Sequence, residues 1–405
     1  MRKEHLKKWL VLGCALALTW AAIACDDGDG GGGGEQDAHD AVADLPDGVS
    51  CTAPLLASAP WAEGVQSEVV GLGVYPNAVV IHGEHAYVVN SGDNAIQRFR
   101  TSPLGAQDDK AFVDLGSDKN PYDLAIYEDR IYITNLMEGS ISVANLAGEV
   151  LNTVVLPELV SPQDIVATES YLFIANTEFT FPAPETRFGS LVVLERSDAP
   201  TLVNRIETSA SNPQFLALVG EDLYVVNSGR VDYDFDSGAV TPAGEASVDL
   251  FPLATVATAT GPEISLPLAA VGNVGNPGAP AWVGDYLFLG SGTFAGLFVI
   301  DVRTQAWVHD SANPLMLYAH EGNALLVPSA GPHGLVYVLD FNHDGLFVLD
   351  PSCMQVVSPR IALGAHGEFL EGPNAIAWSA DGVGHVVLSV SGALATVTPA
   401  KWMRP

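Results

Sequence analysis

Basic residues are scarce in this chain. Only 17 Lys and Arg stand against 48 Asp and Glu in 405 residues, a formal net charge of −31. Such a balance repels phosphate backbones and anionic headgroups, which argues against nucleic acid as a partner and against charge-driven attachment to lipid. The plain reading of the acidity is solubility. Cysteine is sparse too: Cys14, Cys25, Cys51 and Cys353 form no C-x-x-C pair and no Cys/His cluster at zinc spacing. No segment sustains an apolar period of 3.6 residues, so a helical bundle is excluded. Also missing are a G-x-S-x-G elbow, a Walker-type phosphate loop and a dinucleotide fingerprint, so no common catalytic class announces itself locally.

What is present begins with an export pattern. Residues 1–8 carry four positive charges, and residues 9–24 are an apolar run too short to span a membrane but right for a signal peptide. The run ends Ala22-Ile23-Ala24-Cys25, which resembles a bacterial lipobox, with Ala where Leu is usual at position 22. That resemblance implies a lipoprotein: Cys25 acylated (palmitate) and exposed as the mature N-terminus, in the cell envelope on the periplasmic side or the cell surface. An ordinary signal peptide is the competing reading. Residues 25–50 include five consecutive Gly at 30–34 and little to bury, so they are expected to form a disordered tether of roughly 25–30 Å. The remaining residues, 51–405, form the folded part. An exported pair such as Cys51 and Cys353 is expected to be bridged.

With 48% hydrophobic residues and 40 Gly, the folded part can bury a large core through many turns. Its order is repetitive. Pro76 precedes Asn90 by the same interval that separates Pro121 from Asn135, Pro162 from Asn176, Pro213 from Asn227 and Pro277 from Ser291. Between marker and Asn lie two short runs rich in β-branched and aromatic residues, which read as a hairpin. Residues 335–350 align without gaps on 286–301, placing Asp340 opposite Ser291 and a first strand at Asn323-Ala324-Leu325-Leu326. Repeats therefore start near 76, 121, 162, 213, 277, 323 and 373. Seven such units predict an all-β, seven-bladed β-propeller of four-stranded blades. The last unit runs out of chain before its fourth strand, and the stretch Glu68-Val-Val-Gly-Leu72 is expected to supply it and close the ring.

The phrases YVVN, YITN and FIAN, with the third strands that follow them, resemble the YVTN-type β-propeller repeat family over about residues 66–400. Members of that family are surface-layer and periplasmic proteins, and the resemblance implies a fold more than a chemistry. The repeat Asn positions read as turn caps rather than a ring of ligand contacts.

Departures from the regular repeat are the better guide to function. Two connections, residues 176–189 and 227–246, are much longer than their equivalents and belong to adjacent blades 3 and 4. They hold Phe179, Phe181, Arg187, Phe188, Arg230, Tyr233 and Phe235, a set of aromatics beside fixed charge that suits recognition. Packing of the two loops on each other is the bland alternative. For metal, Asp340-Phe-Asn342-His-Asp344-Gly345 matches the first six positions of a calcium loop but has Pro351 where the bidentate Glu belongs; a hairpin turn explains it equally. Asp232, Asp234 and Asp236 alternate similarly without the Gly. The compact set His82, Glu84 and His85 reads as a surface turn.

The expectation is a lipid-anchored, extracytoplasmic propeller that binds or scaffolds a protein, peptide or glycan and touches the membrane through its anchor alone. Its rival is a metal-dependent hydrolase or lyase of the lactonase-like propeller type, with a site at the channel mouth gathered from several blades. Calcium is the one cofactor the sequence suggests.

Overall fold

The computed structural model describes residues 51–52, 55, 60–178, 189–233, 240–319, 324–364 and 370–403. Among them helix is confined to short 3₁₀ turns, and the rest of the regular structure is strand. Seven antiparallel sheets follow one another along the chain. In blade 1, strands Pro76–His82, His85–Asn90, Ala95–Arg100 and Asp109–Asp114 pair in chain order. Blade 2 repeats this with Pro121–Tyr127, Arg130–Asn135, Ser140–Asn145 and Val150–Val155, and blade 3 with Pro162–Ala167, Tyr171–Asn176, Ser190–Glu195 and Leu202–Glu207. Blade 4 comprises Pro213–Val219, Asp222–Asn227, Ala246–Pro252 and Ile264–Leu268. First strands of successive blades touch one another all the way round, from blade 1 through blade 7 and back, which makes them the inner wall of the ring.

The spacing of marker Pro and repeat Asn is a matter of strand register. Pro76 faces Asn90, Pro121 faces Asn135, Pro162 faces Asn176, Pro213 faces Asn227 and Pro277 faces Ser291. Proline lacks a donor and is tolerated at the entry to a strand. The residue just before it (Tyr75, Asn120, Ser161, Asn212, Asn276 or Gly372) adopts positive φ. Its carbonyl then accepts the N–H one residue beyond the repeat position, as in Ser91 to Tyr75 and Leu136 to Asn120. At the far end the first two strands are joined by two residues, and Gly83, Gly220 and Gly284 supply the positive φ that such turns demand.

Second strands are covered on both faces, so their apolar runs are continuous rather than alternating. Ile131, Tyr132 and Ile133 are all buried. Each such side chain stabilises the fold by about 1.5–3 kcal/mol.

Blades 5 and 6 depart from the pattern at their outer edges. In blade 5 (Pro277–Val283, Tyr286–Ser291, Gly296–Asp301) the fourth strand is split into Ala306–His309 and Leu315–Met316. In blade 6 (Leu326–Ala330, Val336–Asp340, Gly345–Asp350) it is split into Gln355–Val356 and Ile361–Ala362. Blade 6 also corrects the expected first strand. It begins at Leu326, which faces Asp340, and not at Asn323, which lies outside the described residues. Leu326 stands where other blades carry the marker proline, so the punctuation that would have revealed the frame is missing.

Blade 7 (Pro373–Trp378, Gly384–Leu388, Ala393–Val397) takes its outer strand from the other end of the chain. Val65–Gly71 pairs antiparallel with Ala393–Val397, Val65 opposite Val397 and Val70 opposite Leu394. A disulfide joins Cys51 to Cys353 in the turn between the third strand and the first edge piece of blade 6, the bridge expected from the sequence. Around it Thr52 bonds Ser352 through both N–H (3.1 Å) and hydroxyl (2.9 Å), and Leu55 bridges Met403. Trp402 is buried against Trp61, whose carbonyl accepts its indole N–H at 3.2 Å. The N-terminal segment thus straps blade 6 to blade 7.

Candidate functional site

The face bearing the ends of the second strands carries the features singled out in the sequence. The repeat Asn side chains do not open onto it. Asn90, Asn135, Asn176 and Asn227 are fully buried and bond inward to the third strand or the incoming loop. Asn135 Nδ2 donates to Ser140 and Ser142 at 2.8 Å, and Asn176 Oδ1 accepts Val160 N–H at 2.7 Å. They are caps.

Blade 4 lengthens this same turn into a hairpin of its own. Val231–Tyr233 pairs with Val240–Pro242, a two-stranded ribbon outside the blade sheet. Arg230 at its base is exposed, lies 3.8 Å from Asp232 and donates to the Ala243 carbonyl at 3.3 Å. The returning strand leans on the approach to blade 5, where a Cβ at Gly275 would come within 2.9 Å of Pro242. Tyr233 is placed by its backbone. Phe179, Phe181, Arg187, Phe188, Phe235, Asp234 and Asp236 lie outside the described residues, as does Cys25.

The calcium-like run of blade 6 is engaged piecemeal. Asp340 is buried, accepts the Tyr318 hydroxyl, and lies 3.0 Å from His343 Nδ1. Asn342 Oδ1 accepts Leu325 N–H at 3.0 Å, and Asp344 Oδ1 accepts both Glu371 and Gly372 N–H at 2.9 Å. Burial raises the Asp344 carboxyl despite those two donors, and burial together with the Asp340 charge raises the Tyr318 phenol. The three side chains share no partner. Among the described residues one group of three metal-type ligand atoms converges, Cys51, Asp350 and Cys353, and its sulfurs are joined to each other.

A different constellation stands on the inner wall, and the sequence reading missed it. Asp123 and Asp164 occupy matching positions in the first strands of blades 2 and 3, two residues after each marker Pro. Their carboxyls are hydrogen-bonded to each other. Asp164 also accepts N–H from Ile165 and, at 2.7 Å, from Leu216 in the first strand of blade 4. Asp123 Oδ1 accepts Leu124 N–H at 2.7 Å. Burial is the leading cause that raises both carboxyls; the Asp164 charge pushes Asp123 up further, whereas donors to Asp164 restrain it. Two buried carboxyls this close resist ionising together, so the pair favours retaining a proton. The neighbouring Tyr122 phenol is raised by burial and by both carboxylates. Next to Asp164 in the same strand, buried Gln163 carries an amide oxygen with no hydrogen-bond partner. The clue was legible as Pro-x-Asp, which among the seven repeats occurs only in blades 2 and 3.

Solved structures share this fold. A catalytically inactive virginiamycin B lyase from Staphylococcus aureus, with quinupristin, superposes with a TM-score of 0.62 at 9% identity, covering 82% of this chain and 98% of that one. Hydrazine synthase from Kuenenia stuttgartiensis gives 0.59 at 12%, covering 82% and 98%. The Pan2 WD40 domain from Neurospora crassa gives 0.56 at 10%, covering 81% and 90%. The chain is a β-propeller. At such identities the likeness carries fold alone. No protein-family model and no curated protein matches the sequence.

Proposed function

We propose that this chain is an exported, lipid-anchored propeller of the YVTN-repeat kind that binds a protein, peptide or glycan without catalysis. The observation that carries the reading is the hairpin Val231–Tyr233/Val240–Pro242, a structured addition to a turn that blades 1, 2 and 6 close in four residues. Rigid scaffolds display recognition residues on such added loops. The acidic surface leaves nucleic acid aside and restricts membrane contact to the acyl group on Cys25. Replacing Phe179, Phe181, Tyr233 and Phe235 together with Ala is expected to cut recovery of cross-linked envelope partners, or of bound glycan on an array, at least tenfold with the fold intact. Unchanged recovery removes the loops from the site. Cys25→Ser is expected to abolish incorporation of labelled palmitate.

The inner-wall carboxyl pair favours a second reading, a lyase or metal-dependent hydrolase working at the channel mouth. A buried carboxyl pair that retains a proton suits general acid chemistry. On this reading, purified protein turns over a member of a lactone panel and Asp164→Asn lowers the rate at least a hundredfold. Inactivity across the panel with and without added divalent cation dismisses it.

A further inference from the structure

The outer edges of the seven blades are unequal. Six carry a device that blocks further strand pairing. Asp109–Asp114 bears Asp109, Lys110 and Asp114, Leu202–Glu207 bears Arg205 and Glu207, and Ile264–Leu268 contains Pro267. Blades 5 and 6 break their edges into short pieces, and Val65–Gly71 is bulged between Gln66 and Val70 with Glu68 at positive φ. The edge of blade 2, Val150–Val155, is VLNTVV, without a charge or a proline. After one irregularity at its start, residues Asn152 to Val155 run in step with Val143 to Ser140. Val150 and Leu151 are each 41% exposed and Val155 is 61% exposed. Among the described residues its only strand partner is Ser140–Asn145, on the inner side. The outward N–H and C=O groups match nothing but another extended strand.

We propose that this edge pairs with the same edge of a second copy of the chain. The strip is uncharged in a protein of net charge −31, so two copies can meet along it without opposing carboxylates. A basic partner steered by charge would find no carboxylate within the strand. A two-fold axis normal to the sheet preserves its faces, so residues that oppose each other must point to the same side. Setting the axis through Thr153 places Thr153 opposite its own copy, Asn152 opposite Val154, and Val155 toward Leu151. No charged pair forms. Directly opposed residues in antiparallel strands have Cα atoms about 4.5–5.5 Å apart, within the reach of a disulfide.

The test is cysteine cross-linking in intact envelopes of cells making the full chain. Thr153→Cys is expected to give a covalent dimer on mild oxidation. Val203→Cys, on the charged edge of blade 3 and exposed at 39%, is expected to stay monomeric. Adding Val155→Lys to Thr153→Cys should remove the dimer even though it lowers the net repulsion between copies. Raising salt should increase dimer in the Thr153→Cys chain by screening the two acidic bodies. Absence of dimer, equal yield from Val203→Cys, or cross-linking of Thr153→Cys to a different protein overturns the proposal.

Discussion

Opening the Cys51–Cys353 bridge, by reduction or by Cys353→Ser, is expected to lower stability by up to about 5 kcal/mol. The bridge joins residues separated by 302 positions, so it removes much conformational freedom from the unfolded chain. Its loss has a local consequence as well. The strap that ends in Val65–Gly71 is held over blades 6 and 7 by the disulfide, by the Thr52–Ser352 bonds and by Trp61 against Trp402. Without the covalent tie the outer strand of blade 7 should fray first, exposing the edge of Ala393–Val397. Thermal unfolding with and without reductant measures the global effect. Limited proteolysis should show cleavage between residues 52 and 65 in the reduced protein before any other site. Identical melting curves and identical cleavage maps would show that strand pairing alone holds the ring shut.

Asp123→Asn is expected to stabilise the folded chain at neutral and alkaline pH and to flatten its pH dependence. The folded state raises both carboxyls of the inner-wall pair, so it retains a proton that the unfolded chain has already released above the ordinary Asp range. Stability is therefore greatest at the low end of that window and declines as pH rises, by about 1.4 kcal/mol per pH unit for each proton retained, until the folded pair itself ionises. An amide at position 123 donates to Asp164 as the protonated acid does, without needing the proton. The acid limb has a separate origin. His385 is buried in blade 7, where burial lowers its imidazole, so stability is lost as pH falls through the ordinary His range and the unfolded chain takes up a proton first. Melting temperatures from pH 4 to 9 check both: Asp123→Asn should lose the decline that sets in as pH rises above the ordinary Asp range and keep the His385 loss on the acid side. Equal pH slopes in the two proteins would mean that the pair does not retain a proton.

The amino-acid sequence by itself determined the blades. Facing residues such as Pro121 and Asn135 belong to one hairpin, so the register that places them together is local and repeats visibly. It determined the closure too, because the last repeat shows three strands and a spare strand stands before the first. The bridge followed from the scarcity of cysteine beside an export-like pattern at residues 1–24.

Tertiary structure decided what those blades bring together. Asp123 and Asp164 each sit in an unremarkable strand entry, and only the closing curvature of the ring sets one first strand beside the next so that the carboxyls meet. The calcium-like run of blade 6 shows the converse. Its acidic side chains are close in sequence, yet the turn aims them at Tyr318, Leu325 and the loop before Pro373. Sequence proximity describes what one hairpin can do, whereas a propeller's wall is built from residues a whole blade apart, and which of them face each other depends on packing angles that no single repeat contains.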